Sequence, residues 1–99
     1  MQKTSIPDAS LVAQLVNGDR SAFEYVYRKH NNSLIRIATG IVRIAATAEE
    51  VTQDTWLAVL RNIGGFEGRS SLAGWIYSIV VNKARTRAKR DGRSVSFDA

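Results

Sequence analysis

An all-α fold, a compact bundle of about four helices, is what this sequence predicts, and three observations carry it. Apolar residues recur at helical spacing in separate stretches. No alternating apolar and polar run of useful length marks a strand, and the one proline, Pro7, stands ahead of the first periodic stretch. With 99 residues there is material for one modest core, and too little for a cofactor-binding domain and a substrate domain together.

The first helix follows Asp8, expected as its N-cap, and carries Leu11, Val12, Leu15 and Val16 up to Asn17-Gly18, a left-handed stop. A second cap, Asp19, opens a long helix on which Phe23, Val26, Tyr27, Leu34, Ile37, Ala38, Ile41 and Val42 trace one stripe. Gly40 weakens that helix by about 1 kcal/mol relative to alanine. Thr47 and Glu50 have the spacing of a capping box, so a third helix is expected to open there and run to about Ile63. Gly64, Gly65 and Gly68 interrupt the periodicity and free the backbone of a loop around Phe66, closed by Ser70 or Ser71 as the cap of a fourth helix. Leu72, Trp75, Ile76, Ile79 and Lys83 are expected to form the buried stripe of that helix, the lysine stem reaching toward solvent. The domain spans 1–93, and 94–99 reads as the unstructured start of a linker.

The net charge of +5 favours a polyanionic partner, nucleic acid or an anionic membrane surface. Its distribution is more specific. Lys83, Arg85, Arg87, Lys89, Arg90 and Arg93 crowd the C-terminal end, while Glu49, Glu50 and Asp54 have no basic neighbour until Arg61. Two faces of opposite sign suggest two different partners. The absence of cysteine excludes disulfides and thiolate metal sites. No apolar run reaches the roughly 18 residues of a membrane span, so membrane insertion is not expected. The N-terminus lacks the apolar centre of a secretory signal, and a cytoplasmic protein is the expectation.

No enzyme is expected. There is no phosphate-binding glycine loop, no His-Glu-x-x-His and no cysteine nucleophile, and the single His30 has no evident partner in sequence. Glu49, Glu50 and Asp54 in principle form a metal or acid-base cluster, but solvated helix-surface acids are far commoner, so no metal or cofactor is assigned. What stands out is FEGRSSLAGWIYSIVVNKARTRAKR, Phe66 to Arg90, a loop feeding an aromatic-bearing helix that becomes basic along its length. Aromatic faces stack on unpaired bases while Lys and Arg neutralise phosphates, so this stretch suits a protein holding an open strand.

The ordered set LVAQLVNGDRSAF, TAEEVTQDTWLAVLRNI and FEGRSSLAGWIYSIVVNKARTR resembles the second conserved region of extracytoplasmic-function sigma factors, over roughly Asp8 to Arg90. In similar proteins the acidic third helix docks on the clamp helices of the largest RNA polymerase subunit. The resemblance thus implies a docking surface of Glu50, Gln53, Asp54 and Leu57, which share one face at i, i+3, i+4 and i+7. Without it, the same residues read as a solvated face with Leu57 in the core.

The loop and the start of the fourth helix resemble the part that captures the non-template strand of the promoter minus-ten element. Phe66, Arg69, Ser70 and Ser71 would line a pocket for an extruded base, although Phe66 equally suits a plug that pins the loop to the bundle. Trp75 lies on the apolar stripe and reads as core, whereas Tyr77 lies off it and is the better candidate for DNA. Asn82 matches the family's base-contacting position, and Ser78, Asn82, Arg85 and Lys89 share one helical face. Lys83, Arg85, Arg87, Lys89 and Arg90 would contact phosphates, in more basic residues than a solvated helix C-terminus requires.

Relatives continue into a second helical domain that reads the minus-thirty-five element. The chain reads as an excised domain or a truncated product, expected to bind promoter DNA weakly alone. At Leu72, Ala73 and Gly74 relatives often carry an aromatic and a basic residue, so the resemblance transfers no contacts to those positions. Two other readings stand beside the sigma-factor one. One is a sequence-tolerant nucleic-acid-binding module in which the acidic helix is only solvated surface. The other is a regulatory bundle covered by an inhibitory protein, as anti-sigma factors cover similar domains.

Overall fold

A computed structural model of the chain describes residues 6–92; Arg93 and the linker segment 94–99 lie outside the described residues. Four α-helices follow one another, α1 (Asp8–Val16), α2 (Arg20–Val42), α3 (Ala45–Asn62) and α4 (Leu72–Arg90), with a 3-10 turn at Ile63–Gly65 between the last two. The all-helical bundle expected from the periodicity is the observed fold.

The core is built on steps of four. On α2 the buried residues are Ala22, Val26, Leu34, Ala38 and Val42, with half-buried His30 filling the missing step. On α4 they are Leu72, Ile76, Val80, Ala84 and Ala88. Helix α3 contributes two such ladders, Ala48-Thr52-Trp56 and Val51-Thr55-Val59. A four-residue step overshoots the helical repeat of 3.6, so each buried stripe winds around its helix and presents the i±4n ridges that interlock in globular helix packing. The ladder opposite the core is exposed throughout, Glu24, Arg28, Asn32, Arg36 and Gly40 on α2, Gly74, Ser78, Asn82, Thr86 and Arg90 on α4.

This corrects the expected α4 stripe. Trp75, Ile79 and Lys83 stand one ladder to the side and are half-buried, while Val80, Ala84 and Ala88 continue the core. Spacing of three and four from Leu72 drew a straight stripe, but the winding ridge leaves it after Ile76. On α1 only Leu11 and Leu15 are buried, and Val16 is exposed.

Three cross-helix bonds fix the directions. His30 Nδ1 lies 3.0 Å from the Tyr77 hydroxyl, the Trp56 indole N–H donates to Asn31 at 2.8 Å, and Arg87 donates to Glu50 at 2.7 Å. The two-residue connection at Arg43 and Ile44 turns α3 back along α2, with Trp56 level with Asn31; because Tyr77 is level with His30 while Arg87 meets Glu50, α4 runs against α3 and so the same way as α2. The buried hydroxyls of Thr52 and Thr55 donate to the carbonyls of Ala48 and Val51, each at 2.8 Å, and so cost the core no unpaired polar group.

Two expected caps are replaced. Asp19 caps α2 as expected, accepting from Ser21 and Ala22. Asp8 does not cap its own helix, which begins after Pro7 without a side-chain bond; its carboxylate accepts instead from the Leu72 amide of α4 at 2.8 Å. An orphan first-turn amide of one helix is thus satisfied by the first residue of another. Thr47 lies inside α3, which starts two residues earlier, because Ala45 and Ala46 are strong helix formers and the chain has already turned at Arg43 (φ 68°).

Candidate nucleic-acid interface

Between α3 and α4 the loop closes around a pocket of about 210 Å³ lined by Gly65, Phe66, Glu67, Arg69, Ser70 and Trp75. Phe66 packs edge-on against Trp75 with ring centroids 5.3 Å apart, and both rings rest on the core from outside. Trp75 is therefore not a core residue as expected but half of an aromatic pair at the pocket wall. Phe66 anchors the loop to the bundle, as a plug would, and its ring also lines the pocket. Of the loop glycines only Gly68 needs the left-handed region (φ +76°); Gly64 and Gly65 have ordinary angles and open space where a Cβ would be.

The expected pocket residues divide. Phe66, Arg69 and Ser70 are in it, with Arg69 3.0 Å from Glu67 in an ion pair so exposed that it does little to fix either side chain. Ser71 is not in it. Its hydroxyl accepts from the Gly74 amide at 2.9 Å and caps α4, and a Cβ on Gly74 would lie 3.1 Å from that oxygen.

The flanks of α4 meet different neighbours. Tyr77 faces α2, half-buried, its ring perpendicular to the His30 imidazole at 5.5 Å. His30, partnerless in sequence, thus has its partner 47 positions away, and the Tyr77 hydroxyl is already engaged. Burial holds the imidazole below the ordinary histidine pKa; Lys29 pushes the same way, and Asp8 partly offsets both. Asn82 shares the outward ladder with Ser78, and Arg85 and Lys89 stand beside it, all exposed.

On the opposite flank, Val51 and Asp54 of α3 and Asn82, Lys83, Thr86, Arg87 and Arg90 of α4 line a groove of about 330 Å³. The acidic and basic residues expected on separate faces meet here. Arg87 donates to Glu50 at 2.7 Å and to Asp91 at 3.2 Å, with its own side chain only 22% exposed. Glu50 fixes the guanidinium most strongly, raising its pKa further above the usual arginine value. Arg87 is therefore tied between α3 and α4, unlike the other basic residues of the expected track. Lys83 is half-buried in the same groove, whereas Arg85, Lys89 and Arg90 are exposed.

Glu50, Gln53, Asp54 and Leu57 all stand on the exposed side of α3. Leu57, which a merely solvated helix would turn inward, is 50% exposed, and Leu60 beside it is 45% exposed. Leu60 escaped the sequence reading, though its spacing of three from Leu57 could have shown it. Also missed was the aromatic cluster of Phe23, Tyr27 and Trp56, with centroids 5.3 to 5.9 Å apart, which joins α2 to α3. Among the described residues no group of His, Cys, Asp or Glu is arranged to hold a metal ion, and no helix is long and apolar enough to cross a membrane.

The chain matches the family model for sigma-70 region 2 over residues 26–94. It is 36% identical over 83 residues to the ECF RNA polymerase sigma factor SigM of Mycobacterium tuberculosis, covering 84% of this chain and 42% of that protein. It is 29% identical over 90 residues to the RNA polymerase sigma-H factor of Pseudomonas aeruginosa, covering 91% and 47%. The chain thus spans less than half the length of these relatives. Its fold matches that in the NMR structure of an engineered region 2 of sigmaE in complex with GTAAAA, with a TM-score of 0.78 at 22% identity, covering 93% of this chain and 96% of that one.

Proposed function

The chain belongs to the sigma-70 region 2 family, and from that premise we propose that it is a transcription-initiation domain joining RNA polymerase to the opened minus-ten element. Glu50, Gln53, Asp54 and Leu57 dock on the clamp helices of the largest polymerase subunit. The pocket walled by Phe66 and Trp75 accepts a base extruded from the non-template strand, and Asn82 reads an adjoining base edge. Arg85, Lys89 and Arg90 hold the phosphates. The work is binding: unstacking a base costs a few kcal/mol, which the pocket and the charge offset, and no catalytic step is assigned. Acting with polymerase places the domain in the cytoplasm.

The observation that carries this reading is the exposure of Leu57 together with its neighbour Leu60 beside Glu50, Gln53 and Asp54, since adjoining exposed apolar side chains rimmed by polar ones mark a contact surface where a single one would not. It also supports a second occupant of the same face, an inhibitory protein of the anti-sigma kind that competes with polymerase. The test is binding to a purified clamp-helix fragment of bacterial RNA polymerase. Saturable binding that Asp54→Arg abolishes without loss of helix signal is expected; no binding by the folded chain overturns docking.

A further inference from the structure

Helix α2 is basic as well as α4, with four cations against one acid where α4 has five against none. From Arg20 to the helix-ending Arg43 there are five cations, Arg20, Arg28, Lys29, Arg36 and Arg43, against one acid, Glu24; from Leu72 to Asp91 there are also five against one. The two helices use that charge differently. On α4, Arg87 and Arg90 lie in ion pairs with Glu50 and Asp91, whereas among the described residues no α2 cation lies in an ion pair. Lys29 sits over the Tyr25 ring at 5.6 Å, and Arg36 and Arg43 make only long contacts of 3.4 Å to Ser33 and the Gly40 carbonyl of their own helix.

The ladders place these cations. Arg28, Asn32 and Arg36 occupy the fully exposed ladder of α2. Phe23, Tyr27 and Asn31 define the flank toward α3, so Lys29 stands on the opposite flank, toward α4. On α4 the residues facing α2 are Tyr77, which meets His30, and at the same four-residue step Arg85 and Lys89. Because α2 and α4 run the same way, Arg36, six residues beyond His30, and Arg85, eight beyond Tyr77, come to similar levels along the two axes. Neither helix carries an acid from Arg28 to Arg36 or from Lys83 to Arg90; Glu24 is a full turn before Arg28, and Asp8 of α1 is held by the Leu72 amide.

We propose that Arg28, Lys29 and Arg36 of α2 extend the phosphate-binding surface of Arg85 and Lys89 onto a second helix, and that its ligand is the backbone of duplex nucleic acid. This rests on the DNA-binding reading above and adds a component to it. The aromatic rings nearest these cations are already engaged, Tyr25 beneath Lys29 and Tyr27 against Phe23 and Trp56, so the exposed Arg28–Arg36 ladder offers no free ring of its own on which an unpaired base would stack. A broad, unpaired basic surface fits a double backbone, whose dense charge makes counterion release the driving force. The opened strand belongs to the loop pocket; the duplex beside it lies across α2 and α4.

The experiment measures salt dependence for the chain and for a variant carrying Arg28→Gln, Lys29→Gln and Arg36→Gln, which keeps the helix-forming character of the positions. The probes are a short mixed-sequence duplex and a single strand of the same length. The slope of log affinity against log salt should fall by about 2 to 3 on the duplex, at roughly 0.9 per lost phosphate contact, and change little on the single strand. An unchanged duplex slope in a folded variant makes α2 a solvated face and overturns the inference while leaving Arg85 and Lys89 in place. An equal fall on both probes assigns the surface to the strand, and loss of clamp-helix binding with an unchanged slope assigns it to a protein; either result overturns it. Failure of the unaltered chain to bind any DNA removes the underlying reading as well.

Discussion

The two halves of α4 continue one buried ladder with opposite chemistry. From Leu72 to Val80 the core residues are large, and three distant elements hold the segment: Asp8 caps its first amide, His30 meets Tyr77, and Phe66 covers Trp75. From Ala84 to Ala88 the buried residues are alanines, and the cross-helix bond is the Arg87–Glu50 pair. The first half is positioned by burial and directional bonds, and salt screens it weakly. The second is positioned by charge at the edge of solvent, where an ion pair contributes about 0–1 kcal/mol and weakens as salt rises. A rigid platform therefore stands beside the loop pocket, and an adjustable, cation-rich segment follows it.

The strongest way to break this contrast is Ile76→Ala. Ile76 is fully buried, and its truncation should cost about 2 to 5 kcal/mol, seen as a large fall in Tm. A loss comparable to that of a surface substitution would show that the first half is not the platform. Next, Arg85→Gln with Lys89→Gln should lower DNA affinity about tenfold across moderate salt, whereas Arg87→Gln should change it little because that side chain is already bound to Glu50 and Asp91. Equal effects would return Arg87 to the phosphate track.

Asp8→Ala should cost about 1 kcal/mol in chemical denaturation by orphaning the Leu72 amide. No change would leave α1 out of the platform. The smallest effect is a pH dependence. The folded His30 pKa lies below its unfolded value, so His30 contributes stability that is present above about pH 6.5 and is lost as pH falls through the folded value. His30→Gln should flatten that acid-side slope in urea titrations, and an unaltered slope would assign it to other groups.

The platform was less legible in the sequence than the charged half. Helix number, the Asp19 cap, the Gly18 stop and the Ser71 cap all follow from local chemistry, and the structure has them. Asp8 and Thr47 misled because a capping side chain looks the same in sequence whichever helix it serves. Apolar spacing draws Trp75, Ile79 and Lys83 onto the buried stripe because it does not show how far a four-residue ridge has wound by the time it reaches Val80. The basic cluster was plain from composition, but the commitment of Arg87 to Glu50, 37 positions away, needed the antiparallel packing of α3 and α4. The His30–Tyr77 contact likewise needed the parallel run of α2 and α4.

A three-component assay asks whether one small bundle bridges polymerase and open promoter DNA through separable surfaces. Clamp-helix fragment is immobilised, the chain is added, and labelled DNA with an unpaired non-template segment is captured. The unaltered chain should retain the DNA. Asp54→Arg should lose retention while still binding DNA in solution, and the paired Arg85→Gln and Lys89→Gln chain should bind the fragment but release the DNA. Loss of both activities in either folded variant would contradict the account.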